Sequence, residues 1–163
     1  MEIPKLVRKF LWGIIILSIL GMPVTVYLTY NHFKEGKSFC DISEELSCDV
    51  VNKSIYSEFF KSVYLDFFED ILGFDIPVAV LGFLTYIALL SLSFIAMNKG
   101  LLRAIYLLVA TSSVGFLYSL YLTGIEMFVL LTYCPLCLLS FAFIIIILIL
   151  SISSMVILRR KKK

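Results

Sequence analysis

The last third of the chain contains two cysteines with the C-x-x-C spacing of a reactive dithiol. They lie in the stretch Tyr133-Cys134-Pro135-Leu136-Cys137, where a connection turns into a long apolar segment. Pro135 suits the first position of a helix, because proline has no N–H to leave unpaired and its φ is already helical. Cys134 is then predicted to cap this helix. The unpaired N–H groups and the positive end of the helix dipole would lie beside both sulfurs and favour the thiolate, the form that exchanges disulfides.

The two sulfurs lie at different depths along the predicted helix. Residues three apart share one helix face, and Cys137 is about one turn, roughly 4.5 Å, further along the axis than Cys134. The Cys134 sulfur is therefore expected to face the aqueous side, and the Cys137 sulfur the membrane interior.

The composition of the chain is that of an integral membrane protein. Of its 163 residues, 61% are hydrophobic, and the mean hydropathy is +1.01, which is too apolar for a soluble domain of this length. Four apolar segments, at approximately residues 10–30, 77–97, 101–122 and 134–158, are long enough to cross a hydrocarbon core of about 30 Å. The chain is predicted to be one membrane domain over residues 1–163, an all-α bundle of four transmembrane helices.

The distribution of charge predicts the orientation of this bundle. The connection 32–76 has ten acidic and four basic residues, whereas the N-terminal segment, the turn 98–100 and the tail 159–163 are basic. The positive-inside rule places both termini and that turn in the cytoplasm of a multi-pass cell-membrane protein. All four cysteines then fall in or beside the extracytoplasmic connections, where disulfides form and persist.

The extracytoplasmic connection contains one segment with a helical apolar pattern. Apolar residues recur at every fourth position from Ile55 to Ile71, and the charged residues lie largely off this stripe. An amphipathic helix over about residues 54–72 is therefore predicted. Its many aromatic residues suit the headgroup level, where it would form a lid over the outer mouth of the bundle. The alternative is a peripheral anchor without a role in the site.

Cys40 and Cys48 lie on the same predicted side as Cys134 and Cys137, and three interpretations of these thiols compete. Two dithiol couples could exchange electrons through a mixed disulfide. Four thiolates could hold a structural zinc, although the spacing of the first pair is wide for a zinc knuckle and no histidine supports it. Both pairs could be inert bridges, but a bridge across C-x-x-C closes too small a ring to constrain the unfolded chain. Spacing and placement favour the electron relay, which needs a lipid-soluble partner at Cys137.

Several other polar residues are assigned structural roles. His32, the only histidine, is predicted to be an interfacial residue rather than a base. Glu126 and Asp75 near the outer mouth could move protons, but a solvated face is the preferred explanation for each. A stripe of small residues in the third span predicts close helix packing rather than chemistry. It comprises Thr111, Gly115, Ser119 and Thr123.

Taken together, these features resemble the vitamin K epoxide reductase family in its prokaryotic form. They are the two loop cysteines eight apart, the string Cys48-Asp-Val-Val-Asn-Lys-Ser54, the start Ile76-Pro77-x-x-x-x-Gly82 of the second span, and the late C-x-x-C. The likeness covers nearly the whole chain, and the order and spacing of the cysteines are its most specific part. Membrane disulfide oxidases of the other bacterial type also have four helices, but their C-x-x-C comes first.

The resemblance implies a bundle around a quinone of the ubiquinone or menaquinone type. A separate extracytoplasmic protein with a thioredoxin fold would deliver electrons to Cys40, Cys48 would attack Cys134, and the freed Cys137 would reduce the quinone. The predicted activity is that of an enzyme, a quinone-dependent thiol oxidoreductase that supports disulfide-bond formation. The alternative is a non-enzymatic four-span membrane protein with structural disulfides. Neither a metal nor a nucleic acid is expected.

The resemblance also assigns positions that bind the quinone. Ser54 matches the family's serine near the reactive pair and would position the quinone or polarise the thiol chemistry; as a structural residue it would cap the lid helix. Family members that bind vitamin K have an Asn just after the Pro region and a Tyr four residues past the last cysteine, and here Val78 and Phe141 stand at those positions. With Cys137, these residues are expected to hold the quinone mostly by apolar and aromatic contact, which argues against vitamin K epoxide as the substrate.

Overall fold

The computed structural model describes residues 4–34, 38–43, 46–57, 77–99 and 102–162. This part of the chain forms five α-helices: α1 (Lys5–Phe33), α2 (Cys48–Asn52), α3 (Val78–Lys99), α4 (Leu102–Ile125) and α5 (Pro135–Lys162). A 3-10 turn, Ile55–Ser57, follows α2, and a π-helical turn, Glu126–Leu130, continues α4. From position 58 onward, the predicted amphipathic helix at about residues 54–72 lies outside the described residues, as does Asp75.

Four helices are long and apolar enough to cross a membrane. They span Lys5–Phe33, Val78–Asn98, Leu102–Leu130 and Pro135–Arg160. Large apolar side chains such as Ile16, Leu84 and Ile149 are exposed on these helices, as expected where lipid is the solvent. The prediction of an all-α bundle of four membrane-spanning helices is confirmed. The third of them continues to Leu130, beyond the limit of about 122 predicted for its span.

The bundle has a solid apolar core in the half that lies away from the cysteines. Helix α1 packs against α3 and α5, and α4 packs against the same two helices. The core there includes Leu11, Leu89 and Ile147. Buried hydroxyl groups in this half bond within their own helix: the Ser112 hydroxyl, for example, donates to the Leu108 carbonyl over 2.7 Å. These hydroxyl groups are therefore satisfied without a ligand.

Gly21 of α1 lies directly against the ring of Tyr86 on α3. Tyr86 is almost completely buried, and its hydroxyl group donates to the Ser140 backbone carbonyl of α5 over 3.1 Å. A Cβ atom added at Gly21 would overlap the aromatic ring. This close approach ties three helices together, and only a residue without a side chain permits it.

The substitution Gly21→Ala is expected to destabilise the bundle by about 1–3 kcal/mol, the usual cost of overpacking a core. The Tyr86 ring would have to move and would lose its bond to Ser140. Thermal unfolding of the purified protein in detergent measures the effect as a lower midpoint temperature. Gly124→Ala on α4 is the matched control, because a Cβ atom there meets no atom within 4 Å. Equal midpoints for the two variants would contradict this packing argument.

Candidate active site

A disulfide joins Cys40 to Cys48 and closes the loop between α1 and α2. The Cα atoms of the two residues are 5.7 Å apart. Ser47 precedes Cys48 in an extended conformation, and its hydroxyl oxygen accepts a bond from the Val50 N–H over 3.3 Å. Ser47 therefore caps α2, and Cys48 takes the first position of that helix.

The Asp41 side chain stabilises the disulfide loop through hydrogen bonds. Its carboxylate accepts bonds from the Ser38 N–H at 3.0 Å, the Ser47 hydroxyl at 2.7 Å and the Asp49 N–H at 3.2 Å. Burial raises the pKa of Asp41, but these hydrogen bonds outweigh burial and lower the pKa to about 2. The lowered pKa means that the ionised Asp41 carboxylate stabilises the folded loop. This stabilisation is fully present above the pKa that Asp41 has in the unfolded chain, and it is lost as pH falls through about 2.

The disulfide loop is paired directly with the segment that precedes the C-x-x-C motif. Leu46 and Tyr133 form an isolated parallel β-bridge, and the Ser47 N–H donates to the Tyr133 carbonyl over 3.1 Å. This pairing carries Cys48 to Cys134, and their Sγ atoms are 3.6 Å apart. A thiolate at Cys48 would thus lie beside Cys134 Sγ, the sulfur that it would attack in a Cys134–Cys137 disulfide.

Helix α5 begins at the predicted residue, but its N-terminal backbone N–H groups donate to only one of the two cysteine sulfurs. Pro135 is the first residue of α5, and the Cys137 N–H donates to Cys134 Sγ over 3.2 Å. The predicted cap is therefore confirmed. Among the described residues no backbone N–H donates to the Cys137 sulfur. Cys134 is 0% exposed and faces the disulfide rather than water, so the expectation that its sulfur looks into the aqueous phase is wrong.

Cys137 lies on the wall of a cavity of about 550 Å³ that opens between α3, α4 and α5. The wall is mostly apolar. It contains the four positions that the sequence assigned to quinone binding, which are Ser54, Val78, Cys137 and Phe141. The Phe141 ring stacks on Phe116, with 5.8 Å between the ring centroids. The four assigned residues come from three separate parts of the chain and meet around one space.

The stripe of small residues on α4 also faces this cavity. Thr111, Gly115, Ser119 and Thr123 all lie on its wall. A Cβ atom at Gly115 would meet its nearest neighbours, Ile144 and Thr85, only at 3.8 Å. The prediction of close helix packing along this stripe is therefore wrong. Small side chains leave room here rather than drawing two backbones together.

Ser54 uses its hydroxyl proton locally. Its Oγ donates to the Val51 carbonyl over 2.8 Å. The Ser54 carbonyl accepts bonds from the Ser57 N–H at 2.9 Å and the Ser57 hydroxyl at 2.7 Å, which closes the 3-10 turn. Ser54 Oγ can therefore offer a lone pair to the cavity while its O–H donates to the Val51 carbonyl.

Two residues outside the predicted set fix α2 against α1. The Asn52 amide nitrogen donates to the Leu28 carbonyl over 2.6 Å, and Asn52 lies on the cavity wall. His32 Nδ1 lies 2.7 Å from the Asn52 carbonyl oxygen, so this nitrogen carries the proton. His32 accordingly has a structural role, which agrees with its interpretation as a non-catalytic residue. In the sequence, only the place of Asn52 in the string from Cys48 to Ser54 indicates that it lies near the site.

Glu126 lies beside the reactive cysteines, in a position that the sequence did not predict. It is 2% exposed, so its predicted place on a solvated face is wrong. Its carboxylate accepts the Cys134 N–H over 3.1 Å, and it lies on the wall of the cavity that Cys137 also lines. Glu126 is the first residue of the π-helical turn that continues α4, and Leu131 follows the turn in the left-handed conformation with φ 49°.

The chain matches the model of a known protein family. The model of the vitamin K epoxide reductase family matches residues 12–152, which include all four cysteines. A comparison with the curated proteins finds no match.

Proposed function

The chain belongs to the vitamin K epoxide reductase family, and from this premise we propose that it is a quinone-dependent thiol oxidoreductase. Family membership implies a membrane thiol oxidoreductase. The finer proposal is that the protein oxidises an extracytoplasmic partner at Cys40 and Cys48 and passes the electrons through Cys134 and Cys137 to a membrane quinone. Such a reaction would supply oxidising equivalents for disulfide-bond formation.

The contact between Cys48 and Cys134 is the observation that carries this proposal. Their sulfur atoms are 3.6 Å apart, although the residues are 86 positions apart in the chain. Inert bridges would not require two separate sulfur pairs to meet in one buried cluster. Since Cys137 lies on the cavity wall one turn further along α5, the four sulfurs lead from the loop to the cavity.

The transfer can be written with bonds and electrons balanced. After the partner has reduced the Cys40–Cys48 disulfide, the Cys48 thiolate attacks Cys134 of a Cys134–Cys137 disulfide and releases the Cys137 thiolate. Cys40 then displaces Cys134 from Cys48. The products are a Cys40–Cys48 disulfide and two thiols at Cys134 and Cys137, which is the redox state of the cysteines found here. These two thiols hold the two electrons and two protons that convert a quinone to a hydroquinone.

The cavity fits a lipid-soluble ring better than a polar substrate. Its volume of about 550 Å³ lies within the range of small-molecule sites. Val78 and Phe141 offer apolar and aromatic surface, whereas Ser54, Asn52 and Tyr86 offer a few polar atoms. In this proposal the quinone is the electron-accepting substrate and is of the ubiquinone or menaquinone type.

The loop around Cys40 has the character of a partner-binding surface. Phe39 is 94% exposed and Ile42 is 74% exposed, on either side of Cys40 and Asp41. Two exposed apolar side chains beside a disulfide suit the apolar rim that surrounds the reactive cysteine of a thioredoxin fold. We infer that the partner is a separate protein of this fold, and that the loop lies on the extracytoplasmic side with both termini in the cytoplasm.

An assay with the purified protein tests the proposal. A reduced thioredoxin-like donor is added to protein and quinone in detergent, and the quinone absorbance is followed. We expect the quinone to be consumed in proportion to the donor dithiol oxidised, in a one-to-one ratio set by the two-electron exchange. Thiol labelling should show the disulfides interchanging when the donor is added. One fixed disulfide pattern and no quinone consumption would instead indicate a non-enzymatic membrane protein with structural bridges.

A further inference from the structure

Glu126 is a buried acid beside the reactive thiols, and disulfide exchange alone gives it no task. It lies on the wall of the same cavity as Cys137. We propose that Glu126 is the proton acceptor of the Cys137 thiol when the Cys134–Cys137 dithiol reduces the quinone. This inference rests on the proposed function and adds a path for the proton to the path for the electrons.

Burial of a carboxyl group here needs a reason, because an ionised side chain loses its solvation. Among the described residues, no Lys or Arg side chain forms an ion pair with Glu126. The ion pair in that part of the chain joins Lys53 and Asp49. Its carboxylate accepts one backbone bond, from the Cys134 N–H at 3.1 Å. The Cys137 thiol, which lines the same cavity, has a proton to give.

The other titratable groups around Glu126 are few. They are Cys134 just before α5, Cys137 of α5, Cys48 and Asp49 of α2, and Tyr118 and Tyr121 in the last two turns of α4, of which Tyr118 lies on the cavity wall. Arg103 and Tyr106 lie at the opposite end of α4, about 30 Å along the helix axis. Cys48 is in a disulfide and does not titrate, and the Asp49 carboxylate lies 3.5 Å from the Lys53 ammonium group. A tyrosine ordinarily keeps its proton to about pH 10. The thiols are therefore the groups with which Glu126 exchanges protons near neutral pH.

The proposed step conserves protons and electrons. The Glu126 carboxylate takes the proton from the Cys137 sulfur, and the Cys134 thiol gives up the second proton. A bond forms between the two sulfurs, two electrons pass to the quinone, and its two oxygens receive the two protons, one of them from Glu126. The dithiol becomes a disulfide, the quinone becomes a hydroquinone, and Glu126 returns to the carboxylate.

The variant Glu126→Gln separates this role from a purely structural one. Glutamine keeps the shape and can still accept the Cys134 N–H, but it cannot take a proton. Single-turnover oxidation of the reduced dithiol by excess quinone should slow by about a hundredfold or more, the usual range for loss of a general base. In the wild type this rate should be level between about pH 7 and pH 9, whereas in the variant it should rise with pH as the thiol ionises unaided. Glu126→Asp should recover part of the lost rate because it restores the carboxylate.

A second readout needs no quinone. The alkylation rate of Cys137 by a neutral maleimide, read from the mass of the peptide as a function of pH, reports the thiolate fraction. Coupled groups titrate in separate steps, and Cys137 remains coupled to Cys134 in Glu126→Gln. The wild type should therefore show one step more than the variant, the step that belongs to the Glu126 carboxyl group. The Cys40–Cys48 disulfide, mapped in the same samples, shows whether the variant has kept its fold.

Each result decides the inference. A Glu126→Gln variant with the rate and the alkylation profile of the wild type would overturn it, as would a Glu126→Asp variant no faster than Gln. If Glu126→Gln loses the Cys40–Cys48 disulfide, the variant has not kept its fold, and the pH dependence of the wild-type rate decides instead. A wild-type rate of dithiol oxidation that rises tenfold per pH unit from about pH 7 until the thiol is ionised would overturn the inference. Failure of the proposed function is distinguishable, because the wild type itself would then not react with quinone.

Discussion

Replacement of Cys137 by alanine is expected to reduce quinone consumption to less than about one hundredth of the wild-type rate, as for loss of a nucleophile. Cys134 would remain 3.6 Å from Cys48, but the dithiol that supplies two electrons to the quinone would no longer exist. The donor-dependent assay measures this directly. Turnover equal to that of the wild type in purified Cys137→Ala protein would rule out the electron path.

A companion variant shows that the loss is chemical and not a failure to fold. In Cys40→Ala/Cys137→Ala each remaining sulfur has lost its own partner, so mild oxidation should join Cys48 to Cys134 in most molecules. Mass mapping without reduction identifies the linked peptides. Absence of this link would mean that the two sulfurs do not meet in the protein.

Replacement of Gly115 by leucine is expected to block the cavity while leaving the sulfur chemistry intact. A Cβ atom at this position has its nearest neighbours at 3.8 Å and lies on the cavity wall, so a larger side chain would extend into the space proposed for the quinone. We expect the quinone concentration for half-maximal rate to rise by about tenfold, equivalent to about 1.4 kcal/mol. Reduction of the Cys40–Cys48 disulfide by the donor should keep its wild-type rate.

Gly124→Leu on the same helix is the matched control for this effect. Gly124 does not lie on the cavity wall, and nothing lies within 4 Å of a Cβ atom there. Both substitutions exchange a poor helix former for a good one, so any common effect of helix propensity cancels. If both variants, or neither, required more quinone, the assignment of the cavity would be contradicted.

Local rules account for what the sequence predicted correctly. Pro135 marks the start of α5, and Cys134 before it caps the helix, because helix-start preferences act over a few neighbouring residues. The four long apolar segments appear as four helices because length and hydropathy decide whether a segment crosses a bilayer. The order of the cysteines pointed to the family that the comparison then showed.

Glu126 and the stripe of small residues around Gly115 show that local rules do not predict which parts of the chain meet in the folded bundle. A carboxyl group in a short connection is usually solvated, but here the helix continues past α4 as a π-helical turn, and Glu126, its first residue, lies on the cavity wall with Thr123. Small residues at every fourth position leave two outcomes open, a close helix contact or an open space. The position of the neighbouring helices selects between them, and here Ile144 and Thr85 stand back at 3.8 Å.

By itself, the sequence determined that this protein is a bundle of four membrane helices with two cysteine pairs, one of them at a helix start. Those properties depend on composition, spacing and local helix preference. Only the tertiary structure decided that Cys48 reaches Cys134, because their contact depends on the bridge between Leu46 and Tyr133 and joins residues 86 positions apart. It also decided that a buried carboxylate stands beside them. Long-range pairing of this kind depends on the packing of the whole bundle, which no short stretch of residues encodes.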